Sequence, residues 1–221
     1  MNETRVPASL LASVKSDLRP VRPLPSPARR ALALLPLGVL LLVGIPIFWA
    51  SRWQAPWPSW GFSSLETAAG LVALAAGFRE AIPGRELSKW MWPTVIGAVW
   101  IAFLSINAIA PEPPAAVPLT TTLRWIRECI TNATVFSVPA LIVVGGLVSH
   151  GLPNRPALTG AIYGLGVGMM ADAGLRLFCR DGDLLHVVAA HGGAIAIIMV
   201  LGALTAVLVE RLKARASSKP S

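Results

Sequence analysis

The stretch ALALLPLGVLLLVGIPIFWAS, residues 31–51, contains no charged side chain and is long enough to cross a membrane. A helix rises about 1.5 Å per residue and the hydrocarbon core is about 30 Å thick, so roughly 20 apolar residues span it. Backbone polar groups in lipid must be paired within the segment, which makes helix the expected state. The run is too long for the apolar part of a signal peptide, and no clean small-x-small cleavage site follows it. We therefore interpret it as a retained first transmembrane helix.

Five further runs of the same kind follow, each with few charges or none. They cover residues 62–78, 90–111, 130–149, 156–178 and 187–209. The run at 62–78 is the shortest, and it contains Glu66. Six spans in 221 residues leave little chain for a soluble domain. We predict an all-α membrane protein: a six-transmembrane-helix bundle at residues 31–209, a cytoplasmic N-terminal tail at 1–30, and a basic cytoplasmic C-terminal tail at 210–221.

The basic residues indicate the orientation of the bundle. With six alternating spans, fourteen of the 19 Lys and Arg residues fall on the side that carries both termini. Cytoplasmic loops carry an excess of such residues, so both termini are predicted to be cytoplasmic. The net charge of +8 is therefore mainly a topology signal. The charges are scattered and no binding motif accompanies them, so we expect contact with membrane lipids and no direct contact with nucleic acid.

The chain has two cysteines, and both fall at run ends on the predicted outer side. Cys129 is expected to open the fourth span and Cys179 to close the fifth. An oxidising compartment permits a disulfide between them, provided that their Cα atoms lie within about 7 Å. Alternatively, both are small apolar side chains that fill gaps. Thiols at an interface near acidic and imidazole groups are reactive or prone to bind metals, so we predict a sensing pair.

Ionisable residues collect at the same depth as the cysteines and form a predicted supporting cluster. Its members are Glu66, Asp172, Arg176, His186 and His191. Asp172 and Arg176 are four residues apart on a helix and can pair. Ionisable groups inside spans are costly and usually face the bundle interior. For Glu66 and His191 two interpretations stay open: a polar clamp between helices, or a group that tunes the thiols.

The same residues supply ligands of the kind that zinc binds. The candidate metal ligands are Cys129, Cys179 and His191, with His186 nearby in sequence, although no two share a recognised ligand spacing. A soft metal could also bind the thiolates directly. We expect no required cofactor, only a soft or heavy metal bound transiently at the cysteines.

Glycines in the fifth run are spaced four residues apart, at Gly160, Gly164 and Gly168. Small residues at that spacing allow two helices to approach closely. We expect them to pack against another helix of the same chain rather than to form a dimer contact.

The N-terminal tail contains a short amphipathic pattern followed by a proline-rich segment. Apolar residues recur at helical spacing at Leu10, Leu11, Val14 and Leu18. The sequence RPVRPLPSP at residues 19–27 cannot continue a helix and is typical of extended polyproline II structure. This tail either lies on anionic lipid or docks into a partner's groove through its apolar residues, with Arg19 and Arg22 beside them.

The order of these features resembles the NrsF-type membrane anti-sigma factors over almost the whole chain. The resemblance rests on LRPVRPLP at 18–25 before Arg29-Arg30, LE at 65–66, IPGR at 82–85, Cys129 with Pro139, RPALTGA at 155–161, and Cys179 followed by His191-Gly192. The chain departs from that pattern at Pro23, after Cys179 and at His186.

The resemblance implies a six-span protein of the bacterial inner membrane whose cytoplasmic part holds an extracytoplasmic-function sigma factor inactive. It also implies that Cys129 and Cys179 are needed to respond to metal or oxidative stress. Two rival functions differ in what they require. A small transporter or metal permease would need polar groups near the bilayer midplane. A thiol oxidoreductase usually has a Cys-x-x-Cys or a second cysteine pair, which this chain lacks, and we expect no enzymatic activity.

Overall fold

A computed structural model describes residues 25–48, 57–82, 84–109, 117–148, 153–179 and 181–217, together with Ser9, Ala12 and Ser13. All regular secondary structure in these ranges is helical, which confirms the predicted all-α class. The predicted docking residues lie outside the described part of the chain, so their role stays a prediction; they are Leu10, Leu11, Val14, Leu18, Arg19 and Arg22.

Eight α-helices and one π-helical turn make up the described part of the chain. They are α1 (Pro27–Leu32), α2 (Leu35–Phe48), α3 (Trp57–Glu80), α4 (Met91–Ile109), α5 (Leu119–Val148), α6 (Pro156–Arg176), α7 (Leu184–His186), the π turn (Val187–Gly192) and α8 (Gly193–Ser217). Five segments are long and apolar enough to cross a membrane: Pro27–Phe48, Trp57–Glu80, Leu119–Leu147, Pro156–Arg176 and Leu184–Arg215. The predicted third span forms α4, whose apolar part Met91–Ser105 is shorter. A total of six spans therefore stays a prediction.

Helix α6 lies at the centre of the bundle. In the most apolar part of α6, 89% of the residues are buried, whereas the corresponding share in the other four candidate spans is 22% to 44%. It packs against α2, α3, α5 and α8. A helix that is surrounded in this way needs small residues where neighbouring backbones come close. Because α6 contacts four other helices, a change at one of its ends can displace any of them.

The glycines of α6 lie against α8 of the same chain. A Cβ atom on Gly160 would overlap the carbonyl oxygen of Gly202, and one on Gly164 would overlap that of Ile198. Gly168 is less crowded, because a Cβ atom there would lie 3.3 Å from the Cα of Ile195. The spacing of four therefore serves a close helix–helix contact inside the chain.

Helix α5 differs from the predicted fourth span. The sequence predicted a fourth span at residues 130–149 that Cys129 opens, whereas α5 is one continuous helix of 30 residues that begins at Leu119. Between Leu119 and Cys129 there is no Gly or Pro to interrupt it. Arg124 and Glu128, four residues apart, pair across one turn at 3.5 Å. Cys129 lies about three turns inside α5, and its place at the start of the membrane span stays a prediction.

Candidate sensing site

The two cysteines meet at one end of the bundle, which we call the thiol end. Cys129 projects from α5, and Cys179 lies three residues beyond the last residue of α6. Their Sγ atoms are 3.9 Å apart, and both residues are half-buried free thiols. The backbone N–H of Cys179 donates to the carbonyl of Leu175 at 2.8 Å, which fixes the chain beyond the helix end. A disulfide bond is about 2.05 Å long, so these are two separate thiols within reach of one another.

His186 lies against both thiols. Its Nε2 is 3.1 Å from the Sγ of Cys179 and 3.7 Å from that of Cys129. The sequence placed it in a loop, but it ends the short helix α7 and is completely buried. Its Nδ1 faces the carboxylate of Asp181 at 3.5 Å. Sequence reasoning missed Asp181, because nothing but its position two residues after Cys179 connects it to the cluster.

The π turn brings His191 to the same place. Residues five apart on an α-helix point about 140° away from each other, since each residue advances about 100°. The wider π turn, which is closed by i→i+5 bonds, places residues five apart closer to one face. The rings of His186 and His191 lie 5.4 Å apart between centroids. The four side chains offer ligand atoms that all lie within 4.8 Å of one another. We call them the thiol–imidazole cluster: Cys129, Cys179, His186 and His191.

A chain of buried charges connects this cluster to α3 and α6. Nδ1 of His191 lies 2.6 Å from the carboxylate of Asp172. Asp172 in turn pairs with Arg176 at 3.3 Å, and Glu66 from α3 pairs with the same arginine at 3.5 Å. Glu66, Asp172 and His191 are all buried. Glu66 therefore clamps α3 to α6, while His191 joins the charge chain to the thiols.

Electrostatics at the thiol end favour the thiolate form of Cys179. The hydrogen bond from the Cys129 thiol is the largest influence that lowers the pKa of Cys179, and the imidazoles of His186 and His191 lower it further. Burial acts in the opposite direction and is outweighed. A thiolate is the form that acts as nucleophile and metal ligand, so Cys179 is the more reactive member of the pair.

A second set of polar contacts lies at the other end of α6, which we call the far end. The side chain of Glu80, at the end of α3, is completely buried and lies 3.7 Å from Arg155, which precedes α6. Its carboxylate also accepts a hydrogen bond from the backbone N–H of Leu87 at 2.8 Å. Sequence reasoning missed Glu80, because it stands beside Arg79 at the end of an apolar run.

Helix α1 also reaches the far end. Arg30 donates to the carbonyl of Leu147 at 3.1 Å, and its guanidinium lies over the ring of Phe78 at 4.4 Å. The side chain of Ser26 accepts a hydrogen bond from the backbone N–H of Arg29 and caps the helix. The last residues of the predicted N-terminal tail are therefore part of the helical bundle.

Comparison of the sequence with known protein families gives one match. The family model described as "NrsF: Negative regulator of sigma F" matches residues 15–211, which include every helix described here except the last residues of α8. No curated protein and no solved structure matches the chain. The match covers most of the chain and confirms the resemblance drawn from the sequence. The protein belongs to the NrsF family of negative regulators of a sigma factor.

Proposed function

We propose that this protein is a membrane-bound anti-sigma factor that holds an extracytoplasmic-function sigma factor at the cytoplasmic face of the inner membrane. Reaction of Cys129 and Cys179 with an oxidant or a soft metal on the periplasmic side releases the sigma factor. One observation carries the proposal: two thiols fifty residues apart in the chain lie 3.9 Å from each other, in a family of negative regulators of a sigma factor.

The thiol pair can undergo a reaction that moves the backbone. A peroxide converts one thiol to a sulfenic acid and leaves as water or alcohol, and the second thiol then attacks that sulfur to form a disulfide and water. The two Sγ atoms must approach by roughly 2 Å to reach the length of a disulfide bond. Cys129 belongs to α5 and Cys179 to the segment after α6, so closure of the bond draws these two elements together.

Helix α6 is suited to carry that change across the bundle. It is buried along its length and lies between α2, α3, α5 and α8. At the far end, Arg155 contacts Glu80, and Glu80 holds the backbone of Leu87 in the loop that follows α3. Closely packed helices shift between discrete arrangements rather than deforming continuously. A displacement of α6 therefore reaches a loop on the side where we expect the sigma factor to bind.

Release of the sigma factor requires a defined difference in binding free energy between two states of the protein. Moving a binding equilibrium from 99% occupied to 1% occupied needs about 5.5 kcal/mol of differential affinity between two states. The modification must favour a conformation that binds the sigma factor less well, because an equal effect on both states releases nothing. Formation or loss of a covalent or metal–thiolate bond lies on this energy scale, whereas a change at one exposed charge falls well below it.

The docking element we propose is the segment of residues 1–24. Helix α1, which follows this segment, begins at Pro27, and its Arg30 contacts the far end. An apolar helical stripe followed by a basic, proline-rich stretch fits the groove of a partner protein. A truncation to test this should end at residue 24, since Ser26 caps α1 and Arg30 packs into the bundle.

The test is co-purification from the native bacterium. The tagged full-length protein, the 25–221 truncation and a C129S/C179S variant are purified in detergent, before and after peroxide or cadmium exposure, and bound proteins are identified by mass spectrometry. We expect a sigma factor on the untreated full-length protein, its loss on truncation, and its retention by the cysteine variant under stress. Absence of any sigma factor from the full-length protein would refute the proposal.

A transport function has less support. Transporters bind their substrates near the bilayer midplane. The middle of α6, Gly160–Ala171, has Tyr163 as its sole ionisable residue, and the buried charges described above lie at the two ends of the helix. A small inner-membrane transporter or metal permease therefore remains the alternative that an absent sigma factor would favour.

A further inference from the structure

The thiol–imidazole cluster has the dimensions of a metal site. A tetrahedral zinc ion with Zn–S of about 2.3 Å and Zn–N of about 2.0 Å separates two sulfur ligands by roughly 3.8 Å, and a sulfur from a nitrogen by roughly 3.5 Å. The two Sγ atoms are 3.9 Å apart, and Nε2 of His186 lies 3.1 and 3.7 Å from them. Three of the four ligand atoms are thus already spaced like the edges of a metal tetrahedron, and that of His191 lies within 4.8 Å of each of them.

Both imidazoles face a carboxylate with the nitrogen that points away from the thiols. Nδ1 of His191 lies 2.6 Å from Asp172, and Nδ1 of His186 lies 3.5 Å from Asp181. A histidine that binds a metal usually directs its second ring nitrogen at a carboxylate, which fixes the tautomer and raises the basicity of the ligating nitrogen. Here two histidines on a short helix and the π turn after it have that arrangement, which leaves Nε2 of each available as a ligand.

The remaining features also fit a metal ligand set. His186 and His191 are 0% and 2% exposed, so an ion among them would be shielded from solvent. Two thiolates neutralise the charge of a divalent cation, which suits a site of low polarity. The π turn that aligns the two rings is a rare helical distortion that occurs frequently at functional sites. A disulfide pair alone would need neither imidazole and no such alignment.

We propose that the thiol–imidazole cluster binds one Zn²⁺ ion in a closed tetrahedral site, in which Asp172 and Asp181 position the two imidazoles. Two sulfur and two nitrogen ligands in a tetrahedron are characteristic of zinc. Binding deprotonates the thiols and releases up to two protons. The site takes both histidines as ligands together with the two cysteines, and it holds its metal as a resident ion rather than transiently.

The regulatory meaning of this site rests on the proposed function, whereas the binding of zinc does not. A bound ion links α5, the segment after α6, α7 and the π turn, because each contributes one ligand. The ion occupies the thiols in the resting protein, so an oxidant or a softer metal must displace it before a new bond at the cysteines can form.

The test uses the full-length protein, purified in detergent with its thiols reduced. Zinc content is measured by plasma mass spectrometry, and affinity by competition with a coloured zinc chelator. Cobalt(II) replaces zinc as a spectroscopic probe: a tetrahedral site with sulfur ligands gives intense visible d–d bands and a sulfur-to-cobalt charge-transfer band. X-ray absorption at the zinc edge counts sulfur and nitrogen neighbours in the unmodified protein, so this measurement needs no variant that must fold.

The variants identify each ligand. C129S, C179S, H186Q and H191Q are each expected to weaken zinc binding at least 100-fold and to alter the cobalt spectrum. D181N should weaken it by about 10- to 100-fold without changing the ligand count. H150Q is the matched control, because His150 is the one histidine of the chain outside the cluster, and it should bind zinc as the unmodified protein does.

The possible outcomes separate this inference from the proposed function. One zinc per chain with two sulfur and two nitrogen neighbours supports the site. Wild-type affinity in H186Q, or an absorption spectrum without two nitrogen neighbours, overturns it. If the reduced protein binds neither zinc nor cobalt but retains its sigma factor, the metal site is wrong and the proposed function stands. If the protein binds zinc but no sigma factor, the metal site stands and the proposed function is wrong.

Discussion

The two ends of α6 have the same kind of ion pair but different neighbouring side chains. At each end a buried glutamate of α3 pairs with an arginine that bounds α6: Glu66 with Arg176 at the thiol end, and Glu80 with Arg155 at the far end. At the thiol end the pair continues through Asp172 to His191 and the thiols. At the far end the glutamate instead accepts one hydrogen bond from a backbone N–H.

This difference separates a structural clamp from a reactive site. Buried acids are expensive unless they are paired, and pairing alone does not guarantee net stabilisation. In the far-end clamp one oxygen of Glu80 accepts a hydrogen bond from the backbone, and the other faces Arg155. The thiol-end clamp joins residues from three elements and ends at groups that change with redox state or metal supply. We therefore predict that substitutions at the thiol end affect regulation. Substitutions at the far end should affect either the stability of the protein or its coupling to the sigma factor.

The largest expected effect is the loss of signalling in C129S/C179S. Without the thiols neither a disulfide nor a metal–thiolate bond forms, so the roughly 5.5 kcal/mol needed for release is not supplied. Sigma-dependent reporter transcription should stay at its uninduced level under peroxide or cadmium. Thr131→Ser, at an exposed position two residues from Cys129 on α5, serves as control and should respond normally. Normal induction in the cysteine variant would show that the signal enters elsewhere.

The second largest effect concerns the two arginines. Arg176→Met leaves the buried carboxylate of Glu66 without its cation and leaves Asp172 with His191 alone, and it should lower the free energy of unfolding by about 3–5 kcal/mol. Arg155→Met should cost less, about 1–3 kcal/mol, because the Arg155 side chain is 43% exposed and one oxygen of the buried Glu80 carboxylate keeps its hydrogen bond to Leu87. Both are measured by denaturation with a rising fraction of SDS in mixed micelles. Equal losses would mean that the two clamps are equivalent after all.

A smaller effect is expected from Glu80→Gln. The amide keeps the shape of the side chain and an oxygen that accepts from the Leu87 N–H, but the hydrogen bond is no longer assisted by charge. We expect a loss of about 1–2 kcal/mol in unfolding free energy. The rate at which a maleimide reagent modifies Cys179 should not change, since Glu80 lies at the opposite end of α6. A large change in that rate would reveal direct coupling between the ends in the resting protein.

The sequence was informative about helices and about which residues gather at one end. Uncharged runs predict spans because lipid excludes charge, and the alternation of spans placed Cys129, Cys179, His191 and Asp172 at the same depth. Helix α5 extends about three turns ahead of the predicted fourth span, because charges such as Arg124 and Arg127 end the uncharged run although nothing in the backbone ends the helix there.

The geometry of the cluster could not be predicted from the same patterns. A π turn is a change in hydrogen-bond register, and the residues VVAAHG at 187–192 carry no side-chain signal for it. Asp181 reaches His186 through the fold of a connecting segment, which hydrophobic periodicity does not describe. Glu80 was overlooked because an acid beside Arg79 at a helix end resembles an ordinary surface pair.

The smallest expected effect comes from an exposed acid at the far end, Glu86. The Asn154 side-chain amide, followed by the backbone at Gly84, holds the pKa of Glu86 below its usual range. A depressed folded-state pKa stabilises the protein above the unfolded-state pKa, and this contribution is lost as the pH falls through the folded-state value. Since Glu86 is fully exposed, solvent screens the interaction, and Glu86→Gln should leave the melting temperature at pH 7 within error of the wild type. The small acid-dependent difference between wild type and variant should vanish once the pH is below both pKa values. A large drop at pH 7 would mean that the contact between Glu86 and Asn154 holds the loops of the far end together, and the far end would then be more than a local clamp.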